Sequence, residues 1–436
     1  MKAQILPAVQ FAFKDEQSRA DKLRGLVEFG PYKDLPRAPV LGFVFPDEYR
    51  DQANRLYLSL KNGIGSFKGV ETTFRFPLSK EQVFNISGFS IRGRNHSEAA
   101  KLYEDAILKW IASGKGPRPD LFFVLHPQTP HSEADTPYYA CKARLLTEGI
   151  LSQNATIDLI RDESRLRWSV ANIALGAFVK LGGVPWIIYG EELSQELIVG
   201  IGKSYLYDPQ TRQTVGFVGF TACFSARGRF EFLTLAELAS NREEFLRLLG
   251  EVISASLQKA EALGRNVSSL TLHVPKEMGR QEMEAINRAV DAHKRQNIVQ
   301  IFVTKVSEEE TYFALDTDHK DGVPKRGTVI RLSDRDYLLY TEGREEKEPW
   351  LNFRSPVALR VTPLFRTNQS VTVQSVLRQL HDLSQVNWRG FNARSKPIST
   401  YYGRLIAGIL CHVPASRMRN LSTEAKDLLE KRMWFI

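Results

Sequence analysis

Four side chains that suit a phosphate group lie between residues 138 and 180: Tyr138, Lys142, Gln153 and Lys180. Tyr138 and Lys142 are four positions apart, which places both on one face of a predicted helix. A phenol, an amide and two ammonium groups near helix N-termini could together hold a terminal phosphate. Each residue alone also has an ordinary structural interpretation, because Tyr and Lys are common on surface helices and Lys180 could simply complement a helix C-terminus.

The elements that must position these side chains follow from an alternation of short apolar segments and helical patterns. We predict strands at 40–45, 72–76, 121–125, 156–160 and 186–189, and helices at 49–60, 98–112, 138–147 and 168–181. Such alternation is typical of a parallel sheet covered by helices on both faces, a Rossmann-like α/β unit. Ligands of such sheets bind near the carboxyl ends of the strands, where helix N-termini point their N–H groups.

The second half of the chain has a different pattern. We predict a three-strand meander at 197–202, 216–224 and 229–233, a long helix at 235–264, a strand at 270–274 and a helix at 282–293, followed by strands at 299–304, 311–314, 328–332, 337–341 and 357–362 and helices at 373–383 and 402–410. This order fits a ribonuclease-H-like α/β domain. The predicted organisation is therefore an N-terminal appendage at 1–38, a Rossmann-like domain at 39–190 and a ribonuclease-H-like domain at 191–436.

Composition favours a protein of the cytoplasm that binds an anionic partner. The net charge is +9 with a pI near 9.3, and a basic surplus attracts nucleic acid, although it can also serve solubility alone. Three widely spaced cysteines argue against a disulfide framework or a cysteine zinc site. Without a long apolar run or a secretory signal pattern, we expect no membrane partner.

Common enzyme signatures are absent from the sequence. The segment Gly63-Ile-Gly-Ser-Phe-Lys-Gly69 has the wrong spacing for a dinucleotide fingerprint and is predicted to be a turn. Walker loops, His-Glu-x-x-His, Gly-x-Ser-x-Gly and Cys-x-x-Cys do not occur. A dinucleotide-dependent enzyme on the parallel sheet is accordingly a distant alternative.

The order of the phosphate-type residues resembles the MID domain of Argonaute proteins, through Tyr138-x-x-x-Lys142, Gly149-Ile-Leu-Ser-Gln153 and Lys180-Leu-Gly-Gly-Val-Pro-Trp186. The segments Leu197-Ile-Val-Gly-Ile-Gly202, Leu270-Thr-Leu-His-Val274 and Asn387-Trp-Arg-Gly-Phe-Asn-Ala-Arg-Ser-Lys-Pro397 are similar to the PIWI domain. The resemblance covers residues 40–436. It also extends to the terminal Trp434-Phe-Ile436 of short prokaryotic members made of MID and PIWI domains only.

The resemblance implies that Tyr138, Lys142, Gln153 and Lys180 hold the 5′ phosphate of a guide strand. It also implies that the C-terminal carboxylate of Ile436 turns into this site and binds a divalent cation, Mg²⁺ or Mn²⁺, beside the phosphates. Gly176 departs from the pattern, since relatives can supply a glutamine to the cation at that position.

Slicing members hold two metal ions with acidic residues. At the matching positions this chain has Gly202, Val274 and Arg404, so we expect no cleavage through this site and no enzyme activity. A guanidinium would repel the ions and suits a phosphate instead. Asp208, Asp316 and Asp318 could substitute in principle, but loop positions are expected for them.

Basic residues interleaved with aromatics form a predicted nucleic-acid backbone surface: Arg389, Arg394, Lys396 and Arg404, with Arg417 and Arg419 after them. Trp388, in the same segment, is expected in the core.

The resemblance predicts an inactive short Argonaute that binds a small guide, expected to be RNA although DNA stays open, and pairs it with target DNA. It further implies an effector partner with an APAZ region fused to a sirtuin-like or TIR NADase or a nuclease, acting in anti-plasmid or antiviral defence. Two alternatives remain: a guide-independent DNA-binding or looping protein, and a nuclease with noncanonical carboxylates.

Overall fold

The computed structural model describes residues 3–436 except 79–82, 115, 131–134, 192–195, 208–213, 264–266, 276–277, 294–299, 310, 346–354, 367–371 and 414–420. Asp208, Arg417 and Arg419 lie outside the described residues. The strands are β1 (Ala3–Ile5), β2 (Phe11–Ala12), β3 (Ser18–Arg19), β4 (Leu41–Val44), β5 (Val83–Ile86), β6 (Leu121–His126), β7 (Leu151–Thr156), β8 (Ile187–Ile188), β9 (Glu196–Tyr207), β10 (Thr214–Ser225), β11 (Phe230–Leu235), β12 (Ser269–Pro275), β13 (Gln300–Glu308), β14 (Thr328–Arg331), β15 (Tyr337–Leu339) and β16 (Leu359–Arg366). The helices are α1 (Lys22–Phe29), α2 (Arg50–Asn62), α3 (Val70–Phe74), α4 (His96–Ser113), α5 (Pro137–Thr147), α6 (Ile157–Arg161), α7 (Glu163–Lys180), α8 (Arg242–Ala262), α9 (Arg280–His293), α10 (Val373–Gln385), α11 (Ile398–Leu410) and α12 (Thr423–Lys431).

A four-stranded parallel sheet forms the first half, in the order β5-β4-β6-β7. Every residue of β4 and β6 is buried, as expected for parallel strands that are covered on both faces. The predicted Rossmann-like α/β unit is confirmed, and the segment from Gly63 to Gly69 is the predicted turn, closed by a bridge between Ile64 and Phe67.

Two strand positions and one sheet assignment predicted in this half are wrong. Residues 70–74 form α3 because Phe74 packs on Phe178, with ring centroids 4.9 Å apart, and this tertiary contact overrides the β propensity of the segment. The strand predicted at 156–160 lies earlier, since β7 ends at Thr156 and α6 follows. The strand near 186–189 does not join the parallel sheet. Instead β8 pairs antiparallel with β2 in a separate three-stranded sheet, β3-β2-β8.

The second half is built on a nine-stranded mixed sheet in the order β1-β14-β15-β16-β13-β12-β9-β10-β11. Strands β9, β10 and β11 form the predicted meander, while β12 is parallel to both β9 and β13. Apolar residues of α8 and α9 share one hydrophobic core with the sheet. Apolar residues of α10 and α11 belong to two other hydrophobic cores. The ribonuclease-H-like architecture is confirmed.

No strand forms at 311–314, contrary to our prediction. The Glu309 carboxylate accepts a hydrogen bond from Thr311 N at 2.7 Å, and the hydroxyl of Tyr340 accepts one from Ala314 N at 2.7 Å. Side-chain acceptors thus take the backbone donors that a strand ladder would use.

The N-terminal segment contributes to two sheets. Strand β1 pairs with β14 at the edge of the large sheet, and β2 pairs with β3 and β8. The domain bounds at 38 and 190 stay a prediction. Among the described residues, no helix is both long and apolar enough to cross a membrane.

Candidate phosphate-binding site

Helix α5 presents the first two of the four phosphate-type residues. It begins at Pro137, a residue suited to the first helical position, and the side chain of Thr136 accepts a hydrogen bond from Tyr139 N. One turn of helix then places Tyr138, which is half-buried, above Lys142, which is only 3% exposed. A nearly fully buried lysine is unusual and requires a compensating partner.

The other two residues meet across the space between β7 and α7. Lys180, the last residue of α7, is 1% exposed, and its Nζ donates a hydrogen bond to Gln153 Oε1 at 2.7 Å. Gly176 lies one turn before Lys180. A Cβ at that position would come within 2.8 Å of Gln153 Oε1, so glycine leaves the space that the carboxamide occupies.

Burial and like charge both act on the two lysines. Burial and, to a smaller extent, the charge of the neighbouring Arg389 together lower the pKa of Lys142 to about 7. Burial also holds the pKa of Lys180 well below its ordinary value, with Lys142 and then Arg389 adding to the effect. Among the described residues, no carboxylate contributes to the pKa of either lysine. Lys142, Lys180 and Arg389, here called the cation cluster, therefore form a basic site that no carboxylate of the described chain opposes.

Tyr138 borders the cation cluster as a neutral donor. Burial raises the pKa of its phenol to about 12, even though the charge of Arg389 acts in the opposite direction. At neutral pH the hydroxyl keeps its proton and can donate a hydrogen bond to an anion.

Arg389 comes from the second half of the chain, and sequence analysis assigned it to a nucleic-acid backbone surface and not to this site. Its position depends on Trp388, which is 2% exposed and whose Nε1 donates to the carbonyl of Trp186 at 3.0 Å. The backbone N–H of Trp388 donates to the hydroxyl of Tyr402 at 2.9 Å. The prediction that Trp388 is a core residue is confirmed. The guanidinium of Arg389 itself donates to the Tyr401 hydroxyl at 3.2 Å.

The N-terminal segment supports the same loop. Lys22 Nζ donates to the carbonyl of Phe391 at 2.9 Å and lies 4.8 Å from the centroid of the Phe11 ring. Burial lowers the pKa of Lys22 to about 7. Residues far apart in sequence thereby fix the loop that carries Arg389.

An aromatic pair adjoins Tyr138. The rings of Tyr139 and His412 stack with centroids 3.6 Å apart and an interplanar angle of 26°, and His126 meets Tyr138 edge-on at 5.8 Å. Sequence reasoning missed the stack because it joins the two halves of the chain.

The remaining predicted site residues lie in other contacts. Lys396 pairs with Glu308 at 3.0 Å, the Arg394 guanidinium lies 5.7 Å from the Tyr401 ring centroid, and Arg404 is exposed. The side chain of Ile436 is 8% exposed within the main apolar core.

Two of the three positions predicted to lack metal-binding carboxylates, Gly202 and Val274, lie in apolar packing. Gly202 of β9 faces Phe220 of β10 so closely that a Cβ would lie 2.3 Å from the ring. Val274 is 1% exposed. Asp316 pairs with Arg344 at 2.8 Å, in a loop as expected. Within the described part of the chain, no group of three His, Cys, Asp or Glu side chains could hold a metal ion.

Comparison with known proteins gives concordant results for sequence and for fold. A sequence profile of the Piwi domain matches residues 125–413, more than half of the chain. The "Piwi protein" of Archaeoglobus fulgidus is 25% identical over 432 residues, covering 95% of this chain and 93% of that protein. The "Protein argonaute" of Cereibacter sphaeroides is 22% identical over 459 residues, covering 97% of this chain and 58% of that protein.

Solved structures share the fold at lower identity. The crystal structure of Drosophila Piwi matches with a TM-score of 0.73 and 15% identity, over 100% of this chain and 56% of that one. Clostridium butyricum Argonaute, bound to a guide DNA with a 5′ deoxycytidine and a 19-mer target DNA, matches with a TM-score of 0.66 and 16% identity, over 95% of this chain and 53% of that one. This chain thus spans a little over half of the Cereibacter, Drosophila and Clostridium proteins. The profile match over more than half of the chain shows that the chain belongs to the Piwi domain family.

Proposed function

We propose that this protein binds the 5′ phosphate of a small guide strand, expected to be RNA, and presents the guide for pairing with target DNA. The observation that carries the proposal is the cation cluster, whose two buried lysines have lowered pKa values and no carboxylate partner among the described residues. A phosphate dianion would relieve the repulsion among Lys142, Lys180 and Arg389 and would restore the charged state of both lysines.

Each residue then has a separate task. Lys142 and Lys180 neutralise the phosphate, and the neutral hydroxyl of Tyr138 donates a hydrogen bond to it. Gln153 orients the ammonium of Lys180 through the 2.7 Å hydrogen bond. The Tyr138 ring would also offer a stacking surface to the first base.

A divalent cation, Mg²⁺ or Mn²⁺, belongs to the proposal as well. The cation cluster offers donors but no anionic oxygen, so such an ion would bind through phosphate oxygens together with a carboxylate. Where Ile436 is the last residue of the protein, its carboxylate would supply that oxygen. The ion would neutralise charge between the carboxylate and the guide phosphates.

We propose further that the protein binds its target without cutting it. The resemblance places Gly202, Val274 and Arg404 at the positions of the metal ligands of slicing members. The Phe220 ring packs against Gly202, which supports the proposal. Arg389, Arg394, Lys396 and Arg404 would contact the nucleic-acid backbone. An APAZ-containing effector partner and a role in defence within the cytoplasm complete the proposal and rest on the resemblance alone.

Binding of matched 5′-phosphorylated and 5′-hydroxyl strands, measured by fluorescence anisotropy, tests the proposal. We expect a clear preference for the phosphorylated strand that disappears in a Lys142→Ala/Lys180→Ala variant. A Lys101→Ala/Lys109→Ala variant is the matched control, since it removes the same charge from exposed positions of α4. Equal affinity for the two strands would contradict the proposal and support guide-independent DNA binding. Metal-dependent cleavage of target would support a noncanonical nuclease instead.

A further inference from the structure

Trp168 is an exposed indole on the surface of α7. Trp168 is 76% exposed, whereas Trp186, Trp388 and Trp434 are each 2% exposed or less. An indole in water leaves a large apolar surface uncovered, and tryptophan is enriched at binding interfaces.

Basic side chains flank this indole. Arg165 lies one turn before Trp168 and is exposed, as is Arg167, which packs over Gly65. No ion pair among the described residues involves either arginine. The nearby acids have other contacts, because Asp162 accepts a hydrogen bond from the backbone N–H of Arg165 and Glu163 faces Arg55 at 3.5 Å. The charge beside Trp168 is therefore positive and available to a ligand.

The exposed face of α7 leads from Trp168 to the cation cluster. Trp168, Asn172, Gly176 and Lys180 follow one another at intervals of four, so each lies next to the one before, and the line they form winds around the helix by about 40° per step. The first two are exposed and the last two are buried, so the face passes from open surface into the candidate site. Asn172 Oδ1 lies 3.3 Å from where a Cβ of Gly390 would be, which places it beside the residue that follows Arg389.

We infer that Arg165, Arg167, Trp168 and Asn172, here called the α7 surface, bind the unpaired stretch of a target strand that extends beyond the 5′ end of the guide. The inference rests on the proposed function, because it needs the guide 5′ end at Lys180. A target runs antiparallel to its guide, so its 3′ continuation leaves the duplex beside Lys180 and has no guide bases to pair with.

The dimensions and chemistry agree with this occupant. Twelve residues of helix separate Trp168 from Lys180, about 18 Å at 1.5 Å per residue. A stacked single strand covers that distance with roughly five nucleotides. An indole accepts a base of any sequence by stacking, and the flanking guanidinium groups contact phosphates, which is the combination that sequence-independent single-strand sites use.

The experiment compares two targets on the full chain loaded with a 5′-phosphorylated guide. One target ends opposite the first guide nucleotide, and the other continues for about six unpaired nucleotides. We expect the extension to tighten target binding roughly tenfold, the value of one stacked base. The gain in affinity should vanish in Trp168→Ala and be partly kept in Trp168→Phe. In Arg165→Ala/Arg167→Ala, both the gain in affinity and the dependence of that gain on salt concentration should decrease.

Two control variants match the exposure and charge of the test variants. Phe313→Ala removes an aromatic side chain that is 81% exposed, and Arg92→Ala/Arg94→Ala removes two exposed arginines with the same spacing. Both control variants should keep the full gain in affinity.

The inference is overturned if the extension gives no gain in affinity in a protein that still prefers 5′-phosphorylated guides, or if Trp168→Ala keeps the gain. If the extension gives no gain, an acidic protein partner would be the better candidate ligand of the α7 surface. Loss of the 5′-phosphate preference in the unaltered protein would instead contradict the proposed function itself.

Discussion

The cation cluster and the surroundings of Gly202 differ in what fills them. At the cation cluster, two lysines are buried beside an arginine without a carboxylate partner in the described chain. At Gly202, the Phe220 ring occupies the space beside the strand. The first region holds unfavourable electrostatic free energy that an anion can relieve, whereas the second is closed by apolar packing. Buried charge without compensation is thus the better sign of a ligand site than sequence position.

The sharpest way to break this comparison is Lys142→Met. Methionine has a similar length but no charge, so we expect the affinity for 5′-phosphorylated guide to fall by about 2–4 kcal/mol. The free energy of unfolding without guide should rise, by about 3 kcal/mol at pH 7, because a costly buried charge is removed. Anisotropy and denaturant unfolding measure the two effects. If stability falls together with affinity, Lys142 is a structural residue and not a ligand group.

The same pair of measurements over pH sharpens the interpretation. The pKa of Lys142 is lowered from 10.5 to about 7 by folding, so the unfolded chain binds more protons between these values. Stability without guide should therefore rise as pH increases from about 7 towards 10.5, and the advantage of a 5′ phosphate over a 5′ hydroxyl should decrease above pH 7. Both trends should be weaker in Lys142→Met. A flat stability profile in the unaltered protein would show that Lys142 is better solvated than its burial indicates.

The apolar region is tested by Gly202→Ala. The added Cβ would lie 2.3 Å from the Phe220 ring, and forcing such an overlap in a packed core destabilises by about 1–3 kcal/mol. Gly219→Ala, in the neighbouring strand, is the control because its Cβ would have no contact closer than 3.4 Å. Denaturant unfolding should separate the two variants. Equal stability would mean that the space beside Gly202 is open enough for a carboxylate.

A smaller effect is expected from Gly176→Ala. Its Cβ would approach Gln153 Oε1 to 2.8 Å and displace the acceptor of Lys180, which should weaken guide affinity by about 1 kcal/mol. Gly408→Ala in α11 is the matched control, since a Cβ there meets nothing within 4 Å. Both substitutions replace glycine with alanine, which favours a helix. A loss of affinity that occurs only in Gly176→Ala would therefore be caused by displacement of the Gln153 side chain. Unchanged affinity would show that the hydrogen bond to Lys180 is dispensable.

Much of the fold could be predicted from local pattern, and the failures share one cause. The segments of β4 and β6 are continuous apolar runs, which identify buried parallel strands without further information. Residues 70–74 and 187–188 have equally strong β propensity. Packing on Phe178 makes the first a helix, and pairing with β2 takes the second out of the parallel sheet. Short segments take their structure from partners that local sequence does not contain.

The candidate site, like the fold, contains residues that sequence analysis identified and a residue that it did not assign to the site. Spacing placed Tyr138 and Lys142 on one helix face, and the resemblance added Gln153 and Lys180. Arg389 could not be assigned to this site, because Lys22, Trp186 and Tyr402 fix its loop from distant parts of the chain.

The sequence by itself determined the α/β class, the order of the phosphate-type residues and the glycine and valine at positions 202 and 274, because side-chain identity and helical periodicity are local properties. Only the tertiary structure decided that Lys142 and Lys180 are buried, that Arg389 joins them and that Trp168 remains outside. The cost of burying the two lysines and the exposure of the Trp168 indole both depend on solvent access, which is defined only once the two halves of the chain have packed together.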